Sequence, residues 1–141
     1  MSLLQDKDRE QVQQLFAGLS KPVKLVMFTQ EFECELCKET RELVEEVASL
    51  AELVTAEVHN FALDKEKAEE YGVDKIPAVV VVGEKDHGIR FFGIPSGYEF
   101  STLLEDIVNV SAQESGLSER TGAFLAGLKD PLHIQVFVTP T

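Results

Sequence analysis

Cys34 and Cys37, the only cysteines of the 141-residue chain, stand where an apolar run of strand length gives way to a helical pattern. Ahead of them Val23 to Thr29 reads Val-Lys-Leu-Val-Met-Phe-Thr, a short and largely buried strand. Behind them Leu43, Val44, Val47, Ala48 and Leu50 recur at helical spacing, with Glu39, Arg41, Glu42, Glu45 and Glu46 on the other side. The spacing predicts a helix from Cys34 to about Ala51. Two thiols three residues apart at a helix start can close a small ring and reopen it without disturbing the fold. The first thiol meets the orphan N–H groups and the positive end of the helix, which favour its thiolate, the form that attacks a disulfide. A bridge enclosing two residues removes little entropy from the unfolded chain, so a staple is the weaker account and redox chemistry the better one.

The rest of the chain says what surrounds this dithiol. Asp6 to Leu19 places Val12, Leu15, Phe16 and Leu19 at helical spacing, ending before Lys21-Pro22. Leu53 to Phe61 alternates as a second strand, and Asp64 is placed to cap a short acidic helix through Ala68 to Gly72. Ile76-Pro77 precedes the apolar run Ala78 to Val82, and Gly83 to Gly88 turns the chain into Ile89 to Gly93, which predicts a hairpin. Gly97 to Val110 reads as an amphipathic helix. This order predicts an α/β sandwich with a mixed sheet of about four strands flanked by helices. Gln113 to Gly116 reads as a linker, Ser118 to Leu128 as a further helix and Ile134 to Val138 as a further strand.

Composition removes whole classes of function. Thirteen basic against 25 acidic residues leave a net charge of −12, a field that repels nucleic acid and anionic membranes. No run approaches the roughly 20 apolar residues of a membrane span, and no secretory leader pattern is present at the start. One CxxC and no further cysteine fit an intracellular redox protein better than a disulfide-stapled secreted scaffold, so a cytoplasmic location is expected. Zinc is the other chemistry open to a CxxC. It needs about four ligands, and His59, His87 and His133 are scattered without ligand spacing, so no metal and no cofactor are expected.

Strand, CxxC, helix, strand, helix, Ile-Pro before a strand, hairpin, glycine and final helix is the order of the thioredoxin and glutaredoxin fold. The stretches Arg90-Phe91-Phe92-Gly93-Ile94-Pro95-Ser96-Gly97-Tyr98-Glu99-Phe100 and Leu104-Glu105-Asp106-Ile107-Val108 resemble the N-terminal unit of the protein disulfide oxidoreductases, glutaredoxin-like proteins built from two tandem thioredoxin folds. The resemblance implies a thioredoxin/glutaredoxin-like domain over residues 1–112, with 113–141 supplying the linker, helix and first strand of a truncated second unit. In that family Val136 to Thr141 would lead into a second CxxC. By position Cys34 matches the exposed attacking cysteine, Cys37 the buried resolving cysteine and Pro77 the proline whose peptide bond is cis. Ile76 would then offer its backbone to an extended substrate, with Gly93 lining the same groove. Phe32, beside the motif, is the aromatic candidate for that groove; Phe28, Phe91 and Phe92 read as core.

The chain departs from the family at two places. Glu31, Glu33 and Glu35 surround Cys34, and anions near a thiolate raise its pKa, so Glu33 and Glu35 are expected to make Cys34 less acidic and the couple more reducing. The buried aspartate of thioredoxins has no counterpart, because Phe28 occupies its place, so the proton acceptor for Cys37 is unassigned. The expected reaction is thiol-disulfide exchange on protein disulfides, fed by a protein or small-thiol electron donor. Two alternatives stand beside it. One is a redox-inactive thioredoxin-fold binding module. The other is an electron carrier to a peroxide-reducing partner, resembling the N-terminal domain of the alkyl hydroperoxide reductase flavoprotein; that domain keeps its dithiol in its second fold, whereas here it lies in the first. The apolar strand His133 to Val138 is expected to pair with the first sheet or to form a homodimer.

Overall fold

The computed structural model describes residues 2–139. Helix α1 (Asp6–Phe16) leads into strand β1 (Val23–Thr29), then α2 (Cys37–Ala48), β2 (Val54–Asn60), α3 (Lys65–Glu70), β3 (Ala78–Val82), β4 (Asp86–Phe92), α4 (Tyr98–Ala112) and α5 (Glu119–Ala126). The four strands form one mixed sheet in the order β2-β1-β3-β4. β1 runs parallel to β2 with Val23 opposite Val54 and Thr29 opposite Asn60, and antiparallel to β3 with Met27 opposite Val79. β3 and β4 form the expected hairpin, with a register irregularity between Val80 and Val82.

The alternation of side chains along the central strands divides the core. Leu25, Met27, Val79 and Val81 point to one face, where they pack with Val12 and Phe16 of α1, Leu43, Val44 and Val47 of α2, and Leu103 and Ile107 of α4. Val26, Phe28, Ala78 and Val80 point to the other, covered by Ala68 and Val73 around α3. Both faces of β1 and β3 are buried, which is why these strands read as continuous apolar runs rather than alternating ones.

Several boundaries differ from the pattern reading. α1 ends at Phe16, and the chain then turns, with Leu19 packed part-buried against the core. α2 begins at Cys37 rather than Cys34; Leu36 is its N-cap, and residues 34–36 form the turn that feeds it. Asp64 occupies the N-cap of α3 but makes no cap bond; its carboxylate accepts from Asn60 N at 2.9 Å and so closes the loop behind it. α5 forms with Ser118 as a genuine cap, its Oγ accepting from Thr121 N. The strand expected over Ile134 to Val138 is absent: among the described residues this stretch has no ladder partner and lies exposed. An apolar run of strand-forming residues becomes a strand only against a neighbour, and neither sheet edge reaches it. Pro140 and Thr141, the end of that expected run, lie outside the described residues.

Candidate active site

The fold brings β1 to its carboxyl end at Thr29 and leaves Gln30 to Leu36 to reach α2. Cys34 and Cys37 are joined by a disulfide with their Cα atoms 5.5 Å apart. Cys37, the first helical residue, is 1% exposed, whereas Cys34, in the turn ahead of the helix, is only partly covered. Cys37 is therefore enclosed by the protein, while Cys34 borders its surface. Cys34 sits on the open side of the helix N-terminus, where unpaired N–H groups and the helix dipole favour an anion.

The start of β3 and the end of β4 lie at the same end of the sheet as the carboxyl end of β1, since Ala78 stands opposite both Phe28 and Phe92. The Ile76–Pro77 peptide bond is cis, and Gly93 N donates to Pro77 O at 2.9 Å, tying the segment before β3 to the residue after β4. Gly93 has φ +92°, a conformation open to glycine and strained for a side chain. Next to them the Lys75 ammonium lies 4.4 Å from the centroid of Phe92, whose ring is part exposed, so Phe92 is not the core residue expected; Phe91 and Phe28 are packed inward. On the near side of the motif, Phe32 is 79% exposed and Gln30 Nε2 donates to its carbonyl at 2.6 Å. Glu33 takes a positive φ of 55° and both Glu33 and Glu35 are exposed in the loop that carries Cys34.

Two cavities could be mistaken for the site, and chemistry decides between them. The larger, about 810 Å³, lies between α1 and α4 among Leu4, Val12, Leu15, Ile94 and Phe100, and holds neither cysteine. The smaller, about 670 Å³, opens onto Cys34 and is walled by Lys38 and Arg41 of α2 on one side and by Glu31, Asn60 and Asp64 on the other. The disulfide makes the second the relevant one, because Cys34 lines it. Sequence reasoning singled out neither Lys38 and Arg41 nor Asn60 and Asp64. Lys38 and Arg41 were legible as the first cations of the helix after Cys37, but Asn60 and Asp64 reach the cavity only because β2 pairs with β1 in parallel.

Behind this cavity His59 stacks on Phe28 with ring centroids 5.4 Å apart, and its Nε2 lies 2.6 Å from Glu57 Oε1. Lys24 Nζ donates to Glu57 Oε2 at 3.0 Å; that bond first, then His59, holds the Glu57 carboxyl below its usual range against the opposing effect of burial. His59 thus serves a charged network on the α3 side of the sheet. Among the described residues no three histidine, cysteine or acidic side chains gather as a metal site, and no helix is long and apolar enough to cross a membrane.

Comparison with known proteins places this geometry. The thioredoxin domain family matches residues 23–105, from the start of β1 into α4. The thioredoxin of Methanocaldococcus jannaschii is 33% identical over 75 residues, which cover 52% of this chain and 82% of that protein. Among solved structures, a protein disulfide oxidoreductase of Aeropyrum pernix superposes with a TM-score of 0.79 at 28% identity, over 89% of this chain and 55% of that one. The N-terminal domain of the alkyl hydroperoxide reductase AhpF of Enterococcus faecalis gives 0.74 at 31% identity, over 83% of this chain and 57% of that one. The chain thus spans little more than half the length of these two solved relatives. A four-stranded mixed sheet, a dithiol between strand and helix, a cis Ile-Pro bond ahead of β3, and a family match over 23–105 of 141 residues lead to one statement: the chain belongs to the thioredoxin domain family.

Proposed function

We propose that the protein is a thiol-disulfide oxidoreductase that acts on protein disulfides through Cys34 and Cys37. The observation that carries this reading is the asymmetry of the pair: Cys34 part-exposed and lining a cavity, its partner 1% exposed at the first residue of α2. In the reduced protein the Cys34 thiolate attacks a substrate sulfur, the substrate disulfide breaks and a mixed disulfide forms. Cys37 then attacks Cys34, the internal disulfide closes and the second substrate thiol leaves, so the dithiol loses two electrons and the substrate gains them. The whole sequence reverses when an external dithiol or small thiol reduces the pair. Ile76 presents its backbone to an extended substrate segment, Gly93 leaves that groove free of a side chain, and Phe32 offers an exposed ring at its mouth. Glu33 and Glu35 place negative charge beside Cys34, which opposes the helix dipole and makes the couple a reducing one. These steps need no metal or organic cofactor.

The test is covalent trapping. Cys37→Ser should accumulate a mixed disulfide with a protein substrate on Cys34, visible by mass, while Cys34→Ser should form none. Adducts on neither variant would leave a redox-inactive binding module as the better description. The AhpF similarity at 31% identity favours a second reading, an electron carrier to a peroxide-reducing partner. It predicts fast electron transfer to a peroxide-reducing protein and poor turnover with general protein disulfides.

A further inference from the structure

We infer that the cavity beside Cys34 takes a small zwitterionic disulfide, one whose ends each carry an ammonium and a carboxylate, as a second class of substrate. This rests on the dithiol reading above and adds a substrate to it. At about 670 Å³ the cavity has the size of a small-molecule site, and Cys34 lines it, so a molecule held there stands against the attacking residue. Ile76, Pro77 and Gly93 are not among its lining residues, so a protein segment paired along Ile76 leaves it open.

Four charged side chains line the cavity, Lys38 and Arg41 against Glu31 and Asp64. They balance, although the chain as a whole carries −12. Lys38 and Arg41 stand three residues apart on α2, a spacing that puts them on one face of the helix. Arg41 donates to Glu45 through Nε at 2.8 Å, and its two terminal nitrogens make no hydrogen bond among the described residues. Lys38 Nζ lies 4.0 Å from Glu42, too far for a hydrogen bond. Glu31, in the loop between β1 and α2, has no cation partner among the described residues. Asp64 is tied at one oxygen, Oδ2, which accepts from Asn60 N at 2.9 Å. The lining thus offers charge-assisted donors to a carboxylate and acceptors to an ammonium, around the residue that does the chemistry.

Charge also weighs one disulfide against another. The net field of the chain repels a dianionic disulfide, and a dication drawn in by that field meets Lys38 and Arg41. An uncharged disulfide leaves all four groups unanswered. A zwitterion has no net charge to be repelled and an opposite charge for each pair.

The reaction balances as ordinary exchange. The Cys34 thiolate attacks one sulfur of the bound disulfide, the substrate S–S bond breaks, and the first amino-acid thiolate leaves and takes a proton. Cys37 gives up its proton and attacks Cys34, the Cys34–Cys37 bond forms, and the second thiolate leaves and is protonated. The protein dithiol loses two electrons and two protons, and one disulfide becomes two thiols.

The test is a series of small disulfides of graded charge: cystine, uncharged 2-hydroxyethyl disulfide and dianionic dithiodiglycolate. Oxidation of the reduced protein is followed by acid quench, alkylation and mass. Each rate constant is divided by that of the same disulfide with dithiothreitol at the same pH, which removes the intrinsic reactivity of the sulfur. On this scale the protein should prefer cystine to 2-hydroxyethyl disulfide about 10-fold or more, the worth of one hydrogen bond to a charged group. Lys38→Gln with Arg41→Gln should bring that preference to about one. Both side chains are exposed on α2, so circular dichroism of the double variant should be that of the parent. No preference for cystine in the parent, or a preference that survives the double variant, would overturn the assignment while leaving the dithiol reading intact. Dithiodiglycolate preferred as strongly as cystine would overturn it too, because the cavity would then select an anion. A parent that reacts with none of the three would overturn both.

Discussion

Arg90 joins two parts of the molecule with one guanidinium. It donates to both oxygens of Asp86, at 2.8 and 2.6 Å, and to the carbonyl of Tyr71 at 2.9 and 3.1 Å, tying β4 to the end of α3. The bond from Arg90 is the main reason the Asp86 carboxyl falls to about 2, with burial opposing it and Gly88 N–H adding to it. Because the folded value is depressed, the stabilisation is complete above the ordinary carboxylate range and disappears as pH falls from about 4 toward 2. Asp86 is exposed, so solvent screening reduces the effect to about 1 kcal/mol. Urea midpoints of parent and Asp86→Asn should therefore differ at about pH 6 and converge at about pH 2. A gap that persists at the acid end would show that the substitution acts through packing. Asp106 has the opposite sign: burial first, then Glu105, raises its carboxyl, so it opposes folding as pH rises through that range. Asp106→Asn should raise the melting temperature at neutral pH and leave it unchanged in acid.

At the scale of elements, one hydroxyl fastens the end of α4 to the turn that starts the sheet. Ser111 is fully buried; its Oγ accepts from Ser20 N at 3.0 Å and Lys21 N at 2.9 Å and donates to Lys21 O at 2.8 Å. Ser111→Ala strands two backbone donors and should cost about 2–3 kcal/mol in chemical unfolding; a loss under about 0.5 kcal/mol would show that water replaces the hydroxyl without penalty. A serine in an amphipathic helix gave no hint of this. The elements themselves were readable because each obeys one period: Leu25 and Met27 against Val26 and Phe28 divide β1 between two cores, and Leu43, Val44 and Val47 hold α2 to one of them. Helix starts were less readable. Nothing in Phe32 to Cys37 distinguishes a helix beginning at Cys34 from one beginning at Cys37, since neither intervening residue, Glu35 or Leu36, supplies a side-chain cap. The dithiol and the Ile76–Pro77 segment were visible as motifs, whereas the Asn60 and Asp64 wall of the cavity depends on strand pairing across distant sequence.

The whole molecule divides unevenly. Residues 2–112 contain every core residue, while α5 buries none and Phe124, Leu132, Ile134, Val136, Phe137 and Val138 lie exposed. Exposed apolar area of this kind marks a surface that binds something. The sheet edges at β2 and β4 supply unpaired backbone groups, so we propose that the stretch after α5 pairs with an edge of a second copy. A chain ending after Gly116 should keep the parental melting temperature and dithiol reactivity but sediment as a monomer where the longer chain associates. Loss of the fold on that truncation would refute the assignment of 113–139 as dispensable to the first unit. The central claim, that Cys34 and Cys37 cycle between dithiol and disulfide to do chemistry on other proteins, is tested most directly by one titration. The pair is equilibrated against glutathione and dithiothreitol buffers, and insulin reduction is followed for the parent and Cys34→Ser. A reversible two-electron couple, with turnover that vanishes in the variant, is the predicted result. A pair that does not cycle, or turnover that survives the loss of Cys34, would contradict it.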